Sequence, residues 1–318
     1  MSRRHRCTRA VVHRHDHRVT LTDAATAFGR NLVAMVTPML PGGAIDEAST
    51  AALVEHLVAA GCDGVVVGGT TGEAPTLRPD EHDALVGLVS SITAGRARVI
   101  AGVGTPDTAA TVGRAHGLRE VGADALLLVC PYYSRPSQAG IAAHCRAVAD
   151  AADLPVMLYD VPARTGTTLE RSTLVELAAH PRILGIKDAR GDLHEAMAVM
   201  ASTSLAYYCG IDELNLAYLA CGATGVLSVT GNVVADRNAA LIADVRAGRL
   251  PAARRSAAAQ VALAEALLRT SPPAVMAKAA LVAAGVIAHA AVRSPMVEAP
   301  AAHLKQLREA LRGLDLAA

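Results

Sequence analysis

The sequence predicts an α/β fold, a closed (β/α)8 TIM barrel with a C-terminal helical extension. Three observations predict it. Eight short apolar runs alternate with Ala- and Leu-rich stretches from Asn31 onward. The runs are continuously aliphatic, as parallel strands covered by helices are, and do not alternate with polar residues. The length of 318 residues holds one barrel of about 250 residues with a further layer.

The expected strands span 32–37, 64–68, 97–102, 125–129, 156–159, 183–187, 205–209 and 225–229. Each carries β-branched or aliphatic residues and stops at Gly, Pro or polar residues, the punctuation of a strand end. Helical stretches lie between them at 47–60, 80–93, 109–121, 139–152, 170–179 and 193–202. A doubly wound open sheet is the rival arrangement, weakened because no G-x-G-x-x-G opens the first helix. Beyond Asn232, four more helical stretches are expected at 236–247, 252–268, 273–284 and 301–311. The first closes the barrel and the others form the extension. The chain therefore divides into a basic, His-rich tail (1–28), a barrel (29–248) and a helical extension (249–318).

Composition narrows the function. Hydrophobic residues make up 52% and charged residues 19%, enough for a large core. A net charge of +1 argues against nucleic acid or an anionic membrane as partner. The absence of Trp and the single Phe remove base-stacking platforms. No run approaches the ~18 apolar residues of a membrane span. Six scattered cysteines form no C-x-x-C pair and no zinc-ligand spacing, so reduced thiols in a cytoplasmic protein are expected. Cys130 and Cys209 fall at strand ends, where either packing or a reactive thiol fits. The tail carries His13, His15 and His17, read as a solvated segment before a metal site.

Barrel chemistry sits at the C-terminal ends of the strands. Lys187 ends the sixth run, ILGIKDA, an unusual place for a lysine. Pairing with Asp188 or snorkelling to the rim would explain it. So would catalysis, because an apolar surround disfavours an ammonium and a free amine adds to a ketone as an electron sink. Tyr159 ends the neighbouring strand and can relay protons, or simply bond to backbone. The turn GGTTGE offers backbone N–H groups and the hydroxyls of Thr70 and Thr71 to an anion, or is an ordinary glycine-rich loop. Glu73 either places that loop or faces solvent. Arg164, in VPARTG, suits a second carboxylate or lies free in solvent.

GGTTGE, PYYSRPSQ, YDVPARTG, GIKDA and GATGVLSVT, in this order, resemble the dihydrodipicolinate synthase / N-acetylneuraminate lyase family. The resemblance runs from about Asn31 to the C-terminus. It implies a barrel with a helical extension, a homotetramer, and pyruvate chemistry through a lysine Schiff base with no metal or organic cofactor. Lys187 then corresponds to the Schiff-base lysine, Tyr159 to the phenol relay and Thr70 to the relay threonine. Thr71 corresponds to the threonine that holds the pyruvate carboxylate. Tyr133 matches the tyrosine inserted into a neighbouring subunit's site, and Arg164 the arginine that binds the aldehyde's carboxylate. Gly210 and Leu227 match positions lining the pyruvate pocket.

Within the family, the double threonine and Arg164 favour condensation of pyruvate with L-aspartate 4-semialdehyde to 4-hydroxy-tetrahydrodipicolinate, on the route to diaminopimelate and lysine. Another pyruvate aldolase or dehydratase, acting on a 2-keto-3-deoxy sugar acid or a specialised metabolite, is the alternative. A retired barrel that only binds a keto acid is a third. Asp160 stands where asparagine is usual, Ile211 where an acidic residue is common, and Cys130 where threonine is common. Asp212 is left to serve for the acidic residue. Pro79, Pro106 and Ala110 stand where lysine-inhibited members carry polar ligands, while His82 is kept.

Overall fold

The computed structural model describes residues 21–316. The tail histidines His13, His15 and His17 lie outside the described residues, as does Cys7. Eight parallel strands close into a barrel in chain order. They are β1 (Asn31–Ala34), β2 (Gly64–Val67), β3 (Arg98–Val103), β4 (Ala125–Val129), β5 (Val156–Asp160), β6 (Ile183–Asp188), β7 (Ala206–Cys209) and β8 (Gly225–Ser228). Pairing of Leu32 with Leu227 and Val33 with Ser228 joins the last strand to the first, so no edge is left unpaired.

Helices separate the strands. α1 (Leu21–Phe28) precedes the barrel, and α2 (Glu47–Ala59), α3 (Pro79–Thr93), α4 (Thr108–Ala115) and α5 (Gln138–Ala151) follow the first four strands. α6 (Pro162–Thr165) and α7 (Arg171–Leu177) follow β5; α8 (Leu193–Ser202), α9 (Asn215–Ala220) and α10 (Gly231–Arg246) follow the last three strands. The extension is α11 (Leu250–Ala259), α12 (Val261–Leu268), α13 (Pro273–Ala283) and α14 (Ala301–Arg312). Caps explain several starts: Asp46, Asp107, Ser137 and Asp192 each accept a backbone N–H of the first turn.

Two apolar layers hold this arrangement. Strand residues facing outward pack with the helices in one large cluster. Those facing inward, including Leu32, Ile100, Met157 and Tyr208, fill the barrel. The expected fold class is the observed one, with three differences in detail. Residues 21–28, expected as part of the tail, form α1. Its Phe28 is fully buried, edge-on to Tyr208 with ring centroids 6.1 Å apart. The helix expected to reach 121 stops at Ala115, because His116 turns extended and Gly117 takes φ +83. The stretch 252–268 divides at Gln260, whose side-chain amide donates to Ser256 O (3.4 Å) while its backbone N–H turns to Ala257 O (3.1 Å).

Candidate active site

Strand register places the central pair. Tyr159 on β5 is the direct partner of Lys187 on β6, and Asp160 is the partner of Asp188. Side chains alternate along a strand, so Tyr159 and Lys187 share one face of the sheet and the two aspartates the other. Tyr159 belongs to the interior cluster. Lys187 is 4% exposed, and its Nζ lies 4.2 Å from the centroid of the Tyr159 ring. The expected alternative, an ion pair with Asp188, is not formed: Asp188 accepts from Tyr207 Oη, from Tyr218 Oη (3.3 Å) and from the Arg190 backbone N–H (2.6 Å).

Gly210, just beyond β7, makes room for the amine. A Cβ there would stand 2.8 Å from Lys187 Cε and 2.9 Å from Asp188 O, closer than atoms pack. Any side chain at this position would push the lysine stem aside. Leu227 on β8 joins Tyr159 in the interior cluster and forms part of the apolar floor.

Above this pair opens a cleft of about 540 Å³ whose walls include Thr70, Tyr159 and Arg164. Lys187 itself does not line the cleft; its amine rests against the ring of Tyr159, which does. The turn that carries Thr70 and Thr71 is held from several sides. Gly68 adopts φ +63, and a Cβ on it would sit 2.3 Å from His82 Cδ2. Thr37 Oγ1 donates to Gly72 O (2.7 Å), and the Glu73 N–H to Thr70 O (3.2 Å). Thr71 is buried and Thr70 half-buried. Glu73 does not face solvent: it is 1% exposed, with φ +60.

Arg164 sits in α6, one helical turn after β5, with its side chain exposed at the cleft. Tyr133 points away from the cleft of its own chain. It is 90% exposed at φ +72, while its neighbour Tyr132 lines the wall.

Sequence reasoning missed Arg190. Its guanidinium lies between the two fully buried aspartates, with Nε 3.1 Å from Asp160 Oδ2 and Nη2 3.8 Å from Asp188 Oδ2. Asp160 also accepts from Thr168 Oγ1 (2.9 Å) and the Leu169 N–H (3.3 Å), which ties the chain after Arg164 to the back of β5. Burial, with repulsion from Asp188, pushes the Asp160 carboxyl up to about 6 against the attraction of Arg190. A raised carboxyl favours folding while protonated, and that contribution is lost as pH rises through about 6. Asp160→Asn is therefore expected to gain stability relative to the wild type as pH rises from about 4 to 7. Melting curves across pH read this directly; a difference between variant and wild type that does not change with pH contradicts it.

Other residues singled out in the sequence find their places. Cys130 and Cys209 are buried, and burial pushes both thiols upward, so packing rather than thiolate chemistry explains them. The described cysteines are all free. Asp212 accepts from Ser228 Oγ and from the N–H groups of Val229 (2.9 Å) and Thr230 (3.1 Å), bracing the turn after β8.

Comparison with known proteins bears on the family and the fold. Residues 27–314 match the model of the dihydrodipicolinate synthetase family. A 4-hydroxy-tetrahydrodipicolinate synthase of Mycolicibacterium paratuberculosis is 48% identical over 247 residues, 78% of this chain and 82% of that protein. One from Acidothermus cellulolyticus is 46% identical over 282 residues, 89% of this chain and 91% of the relative. Among solved structures, a dihydrodipicolinate synthase of Acinetobacter baumannii complexed with pyruvate superposes with a TM-score of 0.87 at 35% identity, over 90% of this chain and 99% of that one. Another, from Cyanidioschyzon merolae with lysine bound, gives 0.88 at 37% identity, over 91% and 99%. Because the match spans the barrel and the extension alike, in sequence and in fold, the chain belongs to the dihydrodipicolinate synthetase family.

Proposed function

We propose that this chain condenses pyruvate with L-aspartate 4-semialdehyde to 4-hydroxy-tetrahydrodipicolinate, in diaminopimelate and lysine biosynthesis, through a Schiff base on Lys187. The observation that carries the reading is the buried Lys187 amine beside the Tyr159 ring, at the foot of a cleft bordered by Thr70 and Arg164. The names of its relatives support the substrates.

The amine of Lys187 adds to the ketone carbon of pyruvate. Loss of water leaves an iminium. Tyr159 and Thr70 move the protons of these steps, and Thr71 with the N–H groups of its turn holds the keto acid's carboxylate. Loss of a methyl proton gives the enamine, whose carbon attacks the aldehyde while Arg164 grips the aldehyde's own carboxylate. The aldehyde substrate's amino group then attacks the iminium carbon, closing the ring and releasing Lys187. Gly210 and Leu227 shape the pocket around the pyruvate unit. Borohydride reduction with pyruvate, followed by mass measurement of the Lys187 peptide, tests the covalent step. A coupled assay with the semialdehyde tests the second substrate, and cleavage of a 2-keto-3-deoxy sugar acid without semialdehyde turnover would overturn it.

Tyr133 completes the relay from a neighbouring subunit in this reading. An exposed aromatic residue in left-handed backbone is expensive in isolation, by ~1–3 kcal/mol, and such strain collects at functional contacts. We place the chain in a homotetramer because its family resemblance implies one, with the exposed Tyr133 as the residue offered to a neighbour, and among cytoplasmic enzymes because its described cysteines are free. Among the described residues, no helix is long and apolar enough to cross a membrane. A monomeric dihydrodipicolinate synthase variant, 32% identical with a TM-score of 0.88, is among the structures it resembles. Tyr133→Phe is expected to lower kcat by roughly 10²-fold, as for loss of a proton-transfer group. Sedimentation beside kinetics checks this; a fully active monomer would refute the inter-subunit role.

A further inference from the structure

We propose that the C-terminal extension sets the geometry of the Thr70–Thr71 turn through a buried Lys278–Glu73 pair, so that Lys278, Glu73 and Arg293 are positioning residues for the keto acid's carboxylate. This rests on the assignment of Thr70 and Thr71 to pyruvate made above.

Lys278 lies in α13 with no exposed surface. Its Nζ donates to Glu73 Oε1 and to Ala291 O (2.7 Å). The other oxygen of Glu73 accepts the backbone N–H of Arg293 (3.0 Å), so both carboxylate oxygens are held by the extension. Arg293 then clasps the opposite side of the same loop. Its guanidinium forms two bonds with Glu81 (2.7 Å each), donates to Thr76 O (2.6 Å) and reaches Gly43 O (2.8 Å) in the loop after β1. Residues more than two hundred positions away along the chain thus grip the GGTTGE turn from its last residue through the start of α3.

A purely stabilising role explains this poorly. Taking two charges out of water costs nearly as much as their attraction returns, and apolar replacements of buried pairs are often as stable. What an ion pair supplies and an apolar contact does not is direction. Two fixed oxygens orient the peptide of a residue that is already in left-handed backbone, two positions after Thr71. The Glu73 N–H points back to Thr70 O (3.2 Å), so rotation at Glu73 is passed to the threonine turn.

The test uses the full-length protein. Lys278→Met, Glu73→Gln and the double variant are compared with wild type by pyruvate-dependent borohydride trapping at Lys187 and by steady-state kinetics. The double variant removes both charges together and carries the test if Lys278→Met alone does not fold. The expected result is that the half-saturating pyruvate concentration rises by roughly 10- to 100-fold, as for displaced binding groups. KM for the aldehyde should stay within about twofold, the signature of one lost binding contact. Folded variants with lowered melting temperature but unchanged pyruvate dependence would overturn the proposal, and so would equal weakening toward both substrates. If wild type is not trapped at Lys187, the Schiff-base reading fails instead. Calorimetric pyruvate binding to the same variants then still decides whether the extension sets the carboxylate site.

Discussion

Lys187→Ala is expected to abolish pyruvate-dependent borohydride trapping and to lower turnover by at least about 10³-fold, equivalent to ~4 kcal/mol of transition-state stabilisation. The reason is chemical: no other side chain described near Tyr159 offers a primary amine, and without an iminium the methyl group of pyruvate is not acidic enough to lose its proton. Melting behaviour should change little. The lysine makes no ion pair among the described residues, and the aliphatic layers on either side of its strand remain. Intact-mass measurement after reduction reads the adduct, and circular dichroism reads the fold. Adduct formation elsewhere in the variant, with activity retained, would move the chemistry to another residue.

Arg164→Ala is expected to weaken use of the aldehyde by ~2–5 kcal/mol in kcat/KM, the cost of leaving one charge of a pair without its partner. Trapping with pyruvate alone should be unaffected, because Arg164 stands at the cleft wall and the amine rests against the Tyr159 ring. Arg164→Lys should recover only part of the loss, since an ammonium cannot reproduce a forked contact with a carboxylate. Unchanged kinetics toward the semialdehyde would remove Arg164 from the site.

Local chemistry made most of the barrel legible. Each strand is a run of residues that tolerates no water on either face, and each ends on a break that any reader of turns recognises. The rim motifs follow from that, since the strand ends determine which side chains reach the mouth. Long-range contacts were not legible. Lys278 sits in PAVMAKAALVA, a helix in which one charge reads as a solvated residue, and its partner Glu73 is 205 positions away. Arg190 reads as a loop arginine until the register of β5 and β6 puts Asp160 and Asp188 on one face. The first helix was hidden for another reason. LTDAATAF follows a strongly basic stretch and is only eight residues long, so only Phe28, the single Phe of the chain, hinted at a buried end. The break at Gln260 depends on a side chain competing with its own backbone, and composition carries no sign of that.

Phe28 and Tyr208, with the Tyr208 hydroxyl tied to Gly29 O (2.8 Å), stopper the end of the barrel opposite the reactive amine. The vessel is a cul-de-sac. Among the described residues, the cleft at the opposite rim is then the approach to the amine. In the proposed mechanism the keto acid is seated first and the aldehyde second, because the enamine on Lys187 must exist before it can attack the aldehyde.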